Sequence, residues 1–278
     1  MDFFRIVTPL DAPQKSCGYI LWPGECGWLK CRMPVWKLSA NRILLVRLSL
    51  HTTFSLADER VVEELSFRET KLEKGRDIIR QGDSPTEAVL IISGVAARYK
   101  DLPNGGRAYL GFHFRGDLPD AQAMFATRID HSVCTVCDAR IAMVPHRVLK
   151  EVFASNHNVG FAVWRETLID AAITRQSLFN ISAQSTTPRL AHFLCEYFYR
   201  AKSAGLGNGH SVEFPLSQQQ LGDALGMSLV TCNRALQSLR RRGAVQWTDG
   251  LLTVTDPILL AKIGNFDKAY LELCRVEY

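Results

Sequence analysis

Leu229, Val230, Asn233 and Arg234 fall within six positions and combine the three kinds of group that read the edges of base pairs. A guanidinium can donate twice to guanine, a carboxamide can pair bidentately with adenine, and a small apolar group can meet a thymine methyl. Just upstream, Ser217, Gln218 and Gln219 offer hydroxyl and amide donors suited to phosphate oxygens, which fix register without reading sequence. Thr231 and Arg240 extend that phosphate-facing set. Arg240-Arg241-Arg242 ends the stretch with cations where a helix C-terminus favours them. From Leu216 to Gly243, four arginines stand against Asp223 alone, so this piece holds a large share of the chain's excess positive charge. The chemistry is that of a double-stranded DNA reader.

Such groups share a surface only if two helices cross steeply through a tight turn. Ser217-Gln-Gln-Gln220 has the form of a capping box, which predicts a helix start with Leu221, Ala224 and Leu225 facing inward. Gly226 can take the left-handed conformation that ends this helix, and Ser228 can cap another one a turn later. On the second helix, Cys232, Ala235, Leu236 and Leu239 recur at intervals of three and four and should pack down. That leaves Leu229, Val230, Asn233, Arg234 and Gln237 outward. Ala244 to Trp247 and Leu251 to Val254 flank Thr248-Asp-Gly250, an Asp-Gly hairpin signal, so the whole reads as a winged helix-turn-helix. A plain helical hairpin with a solvated basic face fits the helix spacing alone.

Upstream, Ser55-Leu-Ala-Asp58 resembles a capped helix start. Short apolar runs follow at Ile78-Ile79, Ala88 to Tyr99, Ala108 to Phe114 and Ser132 to Val144, separated by turn signals such as Pro103-Asn-Gly-Gly106. This spacing predicts an antiparallel roll or barrel. After Pro145 the period becomes helical. Phe161, Trp164 and Leu168 form one apolar stripe, and Ile169, Ala172, Ile173 and Gln176 continue an adjacent one. Two stripes suit a seam between two copies of the chain, although a core helix docked on the roll would show the same pattern. Pro188 can open a further helix, Arg189 to about Ser203, carrying Leu190, Phe193, Leu194 and Tyr197.

The expected organisation is α+β: a leader at 1–54, a β-roll sensor domain at 55–150, a central dimerisation helix at 151–182, a winged helix-turn-helix at 183–256 and a C-terminal helix at 257–278. The leader mixes Trp, Cys and Pro without periodicity and reads as a stretch without fixed structure or one upstream of the true translation start.

With 278 residues, 47% of them hydrophobic, the chain can bury two modest cores, and its net charge of +5 suits a polyanionic partner. Eight cysteines are too sparse for a disulfide scaffold, and no secretory signal pattern opens the sequence, which points to reduced thiols and a cytoplasmic protein. The most apolar stretch, Ile43 to Leu50, contains Arg47 and is far shorter than the roughly 20 residues a spanning helix needs, so no membrane role is expected. Catalysis is not expected either. His113-Phe-Arg115 supplies one histidine where a metal-dependent roll needs a pair, and no nucleophile elbow, phosphate loop or zinc-protease motif occurs.

The order of roll, long helix and winged helix-turn-helix, with the segment Leu216-Ser-Gln-Gln-Gln-Leu-Gly-Asp-Ala-Leu-Gly-Met-Ser-Leu-Val-Thr-Cys-Asn-Arg-Ala-Leu-Gln-Ser-Leu-Arg240, resembles the Crp/Fnr family of bacterial transcription regulators over about Ser55 to Tyr270. The resemblance implies a homodimer joined along the central helix, one recognition helix in each half of a palindromic operator, and RNA polymerase as a partner. It matches Leu229, Val230 and Arg234 to base-contacting positions and Ser217, Gln218 and Gln219 to phosphate-contacting ones. Leu229 and Val230 depart from the Arg and Glu common there, so a different operator is expected, with Arg234 as the main base reader.

The resemblance also frames the effector. Members that bind cyclic AMP carry Gly-Glu before a short helix and an Arg followed by Ser or Thr on the phosphate. Here the matching stretches are Gly116-Asp-Leu-Pro-Asp120 and Asp130-His-Ser-Val133, so the Glu is missing and His131, largely neutral at pH 7, replaces the Arg. Members with an iron-sulfur cluster place several cysteines before the roll and one within it. Cys17, Cys26 and Cys31 invite that comparison, but their spacing is wider and Ala142 stands where the fourth ligand is expected. Cys134-Thr-Val-Cys137 has metal-ligand spacing, yet on a strand its thiols point to opposite faces. No cofactor or metal is therefore expected. A cluster-based redox or oxygen sensor, or a cyclic-nucleotide-responsive regulator, is the alternative reading, and the effector is left unassigned.

Overall fold

The computed structural model describes residues 38–273. The first half is built from seven strands, several of them buried along most of their length: β1 (Arg68–Leu72), β2 (Asp77–Ile79), β3 (Glu87–Ser93), β4 (Ala96–Asp101), β5 (Arg107–His113), β6 (Ser132–Thr135) and β7 (Ala139–Pro145). All pair antiparallel, in the orders β1-β7-β3 and β2-β6-β4-β5. Ile91, Val89 and Ile141 of the first sheet meet Ile79, Ala96 and Val133 of the second in one apolar cluster, which closes the roll. The apolar run Ala88 to Tyr99 divides at Gly94, whose φ of +83° turns β3 into β4. Strand β1 was not anticipated, because Arg68-Glu-Thr-Lys-Leu72 is polar; its pairing with β7, Arg68 opposite Met143, is what makes it a strand.

The roll is flanked by α1 (Ala40–Leu48), α2 (Leu56–Glu63), α3 (His146–Ser155) and α4 (His157–Ala183). Ser55 and Asp58 form the expected capping box on α2. Helix α1 corrects the expectation that residues 1–54 form one unstructured leader. Ser39 caps it, and Ile43, Leu44, Leu45 and Leu48 are buried against Val62, Leu90, Val159 and Val163. The 3-4 spacing of those side chains was obscured in sequence by Arg47, whose charge is matched by carboxylates far along the chain. Residues 1–37 of the expected leader lie outside the described residues. The central helix also starts later than expected, at His157, since Asn156 ends α3 and caps α4 by accepting from the Val159 N–H.

Beyond α4 come α5 (Thr186–Ser203), β8 (Gly207–Asn208), β9 (Ser211–Glu213), α6 (Gln218–Leu225), α7 (Leu229–Arg241), β10 (Val245–Thr248), β11 (Leu251–Val254) and α8 (Pro257–Gly264). Within the described part of the single helix expected over 257–278 there are two pieces: α8 stops at Asn265 in the left-handed conformation, and a short 3-10 turn, Lys268–Leu271, follows. One core runs through this half, joining Leu190 and Leu194 of α5 to Leu221, Leu236, Leu239 and Leu252, and it continues into Phe112 and Phe114 of the roll and Ile169 and Ile173 of α4. Among the described residues no helix is long and apolar enough to cross a membrane.

Helix α1 is integral to the packing, so Leu48→Ala, at a site with no solvent exposure, is expected to cost about 2–5 kcal/mol. Urea denaturation of the purified protein measures it, and a loss below about 0.5 kcal/mol would mean that α1 contributes nothing to the folded core.

Candidate nucleic-acid interface

Local hydrogen bonds set the two-helix unit. Ser217 Oγ accepts from the Gln220 N–H at 3.1 Å while Gln220 Oε1 accepts from the Ser217 N–H at 2.9 Å. Gly226 ends α6 with φ +62°, ψ +40°, a conformation that costs a glycine nothing. Ser228 then caps α7, accepting from the Thr231 N–H. The crossing is close: a Cβ on Gly222 would lie 2.8 Å from the Met227 carbonyl oxygen. Cys232, Ala235, Leu236 and Leu239 are buried beneath α7, and Leu229, Val230, Arg234 and Gln237 are exposed on its other side, with Asn233 half-buried between. The wing follows from Asp249 and Gly250, both at positive φ (52° and 74°), as a two-residue hairpin of the primed type requires. Trp247 anchors it edge-on to Phe214, with ring centroids 4.9 Å apart.

One side chain sets this unit on the central helix. Arg189, in the first turn of α5, donates to the Leu225 carbonyl at the end of α6 (2.8 Å) and to the Ile181 and Gln184 carbonyls at the end of α4 (2.9 Å each). A single guanidinium thus satisfies carbonyl groups at two helix C-termini, where a cation is also favoured by the dipoles. Its neighbourhood gave no sequence signal, because the three acceptors are backbone atoms.

The residues expected to touch phosphate divide. Ser217 and Gln219 are exposed, Gln218 is half-buried, and Gln219 also donates to Asp223 at 2.7 Å. Thr231 is half-buried, with its hydroxyl 2.9 Å from that of Ser228. Arg240 turns back to donate to the Trp247 carbonyl, bracing the wing against α7, whereas Arg241 and Arg242 stay exposed.

The residues expected at the seam divide as well. Phe161 (65% exposed), Trp164 and Leu168 form an open stripe on α4 that Phe179 (54%) continues and Leu178 flanks. Ala172 and Gln176 are half-buried, and Gln176 donates to Asn180. Ile169 (3%) and Ile173 (6%) face the interior and belong to the chain's own core. The expectation that they lie on the seam is corrected: at 100° per residue they sit a quarter to a third of a turn from the Phe161 stripe.

Inside the roll, polar groups gather on the face of the second sheet that carries Ala96 and Val133 and is turned toward the first sheet. By register Arg98 lies opposite Val133 and Ala96 opposite His113, so the Arg98 and His113 side chains share that face. Arg98 pairs with Asp170 of α4 at 2.7 Å and donates to the Pro119 carbonyl at 2.6 Å. Burial, with help from Arg98, pushes the imidazoles of His113 and His131 below the usual histidine range. His131 therefore supplies no fixed cation, as expected from its type. Asp120 is fully buried and accepts from the Val89 N–H at 3.0 Å; desolvation pushes its carboxyl up to about 7 despite that bond and the nearby Arg98. Ala142 is a fully buried core residue of β7. Cys134 and Cys137 serve separate partners: Arg107 lies 3.7 Å from the first thiol and the Val95 N–H donates to the second. Burial raises both thiols, Cys134 to about 11, which disfavours the thiolate a metal needs. Among the described residues no group of three or more His, Cys, Asp or Glu is placed to hold a metal ion. Cys17, Cys26 and Cys31 lie outside the described residues.

A roll of the ligand-sensing type joined through a long helix to a winged helix-turn-helix with a basic outward face defines a DNA-binding transcription regulator. Residues 188–263 match the Crp-like helix-turn-helix domain and residues 69–156 the cyclic nucleotide-binding domain, which leaves α1 outside both. The chain is 27% identical over 194 residues to the nitrogen fixation regulation protein FixK of Rhizobium meliloti, covering 69% of this chain and 84% of that protein. It is 26% identical over 212 residues to FixK of Bradyrhizobium diazoefficiens, covering 74% and 85%. Its fold is similar to that of FixK2 from Bradyrhizobium japonicum, with a TM-score of 0.65, 20% identity and coverage of 72% of this chain and 98% of that one. The protein belongs to the Crp/Fnr family and is a sequence-specific DNA-binding transcription regulator of that type.

The buried Asp120 makes stability depend on pH. In the unfolded chain this carboxyl ionises near 3.8, whereas in the fold it keeps its proton to about 7. Its contribution is therefore complete below pH 4 and is lost as the pH rises from about 4 to about 7. Asp120→Asn keeps an acceptor for Val89 without titrating, so its melting temperature should gain on the parent protein's across that window. A gap between the two that is constant from pH 4 to 8 would refute the assignment.

Proposed function

We propose that the protein acts as a homodimer on a palindromic operator, with α7 of each copy in the major groove of one half-site about 34 Å from the other. Arg234 and Asn233 are the polar base readers, and Leu229 and Val230 form an apolar edge against thymine methyls. The observation that carries this reading is the outward face of α7, where these four side chains sit between a capped N-terminus and the exposed Arg241 and Arg242. Ser217, Gln218 and Gln219 contact phosphates from the start of α6, joined by Arg241 and Arg242. Thr231 and Arg240 instead shape the unit, through the α7 cap and the wing.

The open stripe of Phe161, Trp164, Leu168 and Phe179 supports the dimer, because a monomer gains nothing by keeping so contiguous an apolar face in water. RNA polymerase is the further partner that this mode of action implies, and the cytoplasm is the compartment where both it and DNA are met. The protein carries out no catalysis in this reading.

Arg234→Ala should relax preference at one base pair at a cost of about 1–3 kcal/mol, while Gln218→Ala weakens binding to all duplexes alike. Competition binding against operator variants and random duplex separates the two, and equal losses on both for Arg234→Ala would remove it as a reader. Trp164→Asp should give a monomer by sedimentation while the fold is retained; a dimer that persists would place the seam elsewhere.

A further inference from the structure

A closed set of buried charges joins the front of the chain to its other parts. Arg47 of α1 directs Nη2 to Asp117 Oδ1 at 3.1 Å and to Glu166 Oε2 of α4 at 3.0 Å, and its Nε donates to the same Glu166 oxygen at 3.1 Å. All three side chains are about nine-tenths buried. Asp117 uses its other oxygen to accept from Arg200 Nη2 of α5 at 3.1 Å and from the Phe114 N–H at 3.0 Å. Arg200 also donates to the Phe112 carbonyl of the roll at 2.8 Å. Just past α1, each ring nitrogen of His51 faces an acceptor: Nε2 lies 2.9 Å from Glu166 Oε1 and Nδ1 lies 3.0 Å from the Glu272 carbonyl. The Glu272 carboxylate in turn takes Arg165 of α4 at 2.7 Å.

Residues 38–54 thus touch the roll, the central helix and the C-terminal turn directly, and reach the DNA-binding half through a carboxylate shared with Arg200. The backbone is shaped for this contact. Gly116 has φ +88°, and a Cβ there would lie 2.9 Å from Arg47 Cβ, so the turn admits Arg47 because that residue is glycine. On the same face of α1, one turn back from Arg47, Ile43 and Leu44 are buried in the roll's apolar cluster, with Leu48 beside them. Removing one member of such a buried set leaves the others uncompensated at low dielectric, so the segments hold or release together.

We propose that residues 38–54 form an intramolecular strap, with Arg47 and His51 as positioning residues that fix the DNA-binding half relative to the central helix and so set the spacing of the two recognition helices. The spacing clause rests on the dimeric reading above; the strap itself does not.

The test uses the full chain. Spectroscopic labels carried by unnatural amino acids at Leu102 in the roll and Ile258 on α8, both exposed, report the distance between the halves. The parent protein and Arg47→Lys should give one narrow distribution and Arg47→Gln a broad one; a narrow, unshifted distribution for Arg47→Gln overturns the strap. Arg47→Gln should also lose on the order of tenfold in operator affinity while keeping its affinity for random duplex, since a loosened head still meets phosphates but two heads no longer meet two half-sites in register. Equal losses on both duplexes overturn the positioning role. Should Arg47→Gln not fold, hydrogen exchange on the parent protein decides: α1 and α5 amides should open as one unit, and α1 exchanging well before α5 overturns the proposal. If the parent protein itself shows no preference for a palindromic operator, the DNA reading fails, and the distance and exchange results still judge the strap.

Discussion

Asp117 is buried between two guanidiniums, Arg47 from the front of the chain and Arg200 from the first helix of the DNA-binding half. Neither arginine can withdraw without leaving a charge poorly matched in a medium where charges interact strongly and water does not help. Around this carboxylate the rest takes its place. Arg200 also donates to the Phe112 carbonyl, which ties β5 to α5, and Arg47 reaches Glu166, which brings the central helix to the same point. The apolar core that crosses from Phe112 and Phe114 into Leu190, Leu194 and Tyr197 surrounds the ion set and supplies the low dielectric that gives it its rigidity.

The reading head depends on a second, smaller constraint of the same kind. Arg189 holds the ends of α4 and α6 with one side chain, so the attitude of the helix pair is set by a guanidinium whose partners are backbone carbonyls. Capping then does the local work: the start of each helix is fixed by a serine, and the outward face of α7 follows from which residues the core takes. Arg240 ties the wing to that helix, which leaves Arg241 and Arg242 to present charge. Three neighbouring arginines of identical chemistry thus have two different surroundings.

The roll uses its interior differently from what its outline suggests. The inward face of the second sheet carries the chain's own charges, and Arg98 there pairs with Asp170 across the boundary between roll and helix. Neutral histidines and a carboxyl that titrates near 7 surround that pair. The roll and the central helix are therefore coupled by a protein ion pair, at a place whose protonation varies close to neutral pH.

What the sequence determined by itself lies where the deciding bonds span a few residues. The Ser217 capping box, the αL turn at Gly226, the Ser228 cap, the Asp249-Gly250 hairpin and the Ser55 cap are closed by atoms within about four positions, and each stands where its residues predicted it. The α+β order of roll, long helix and winged head was legible for the same reason, since period and turn chemistry are local. Tertiary structure alone decided the rest. Arg47 marked Ile43 to Leu50 as an unpromising stretch because its partner Glu166 is 119 residues away, and β1 became a strand only through its pairing with β7. Periodicity showed two stripes on α4 but could not say that Ile169 and Ile173 turn inward while Phe179 stays open, because which stripe is buried depends on what packs beside it. Local geometry is written in neighbouring residues; the choice of face and the pairing of buried charges belong to the whole fold.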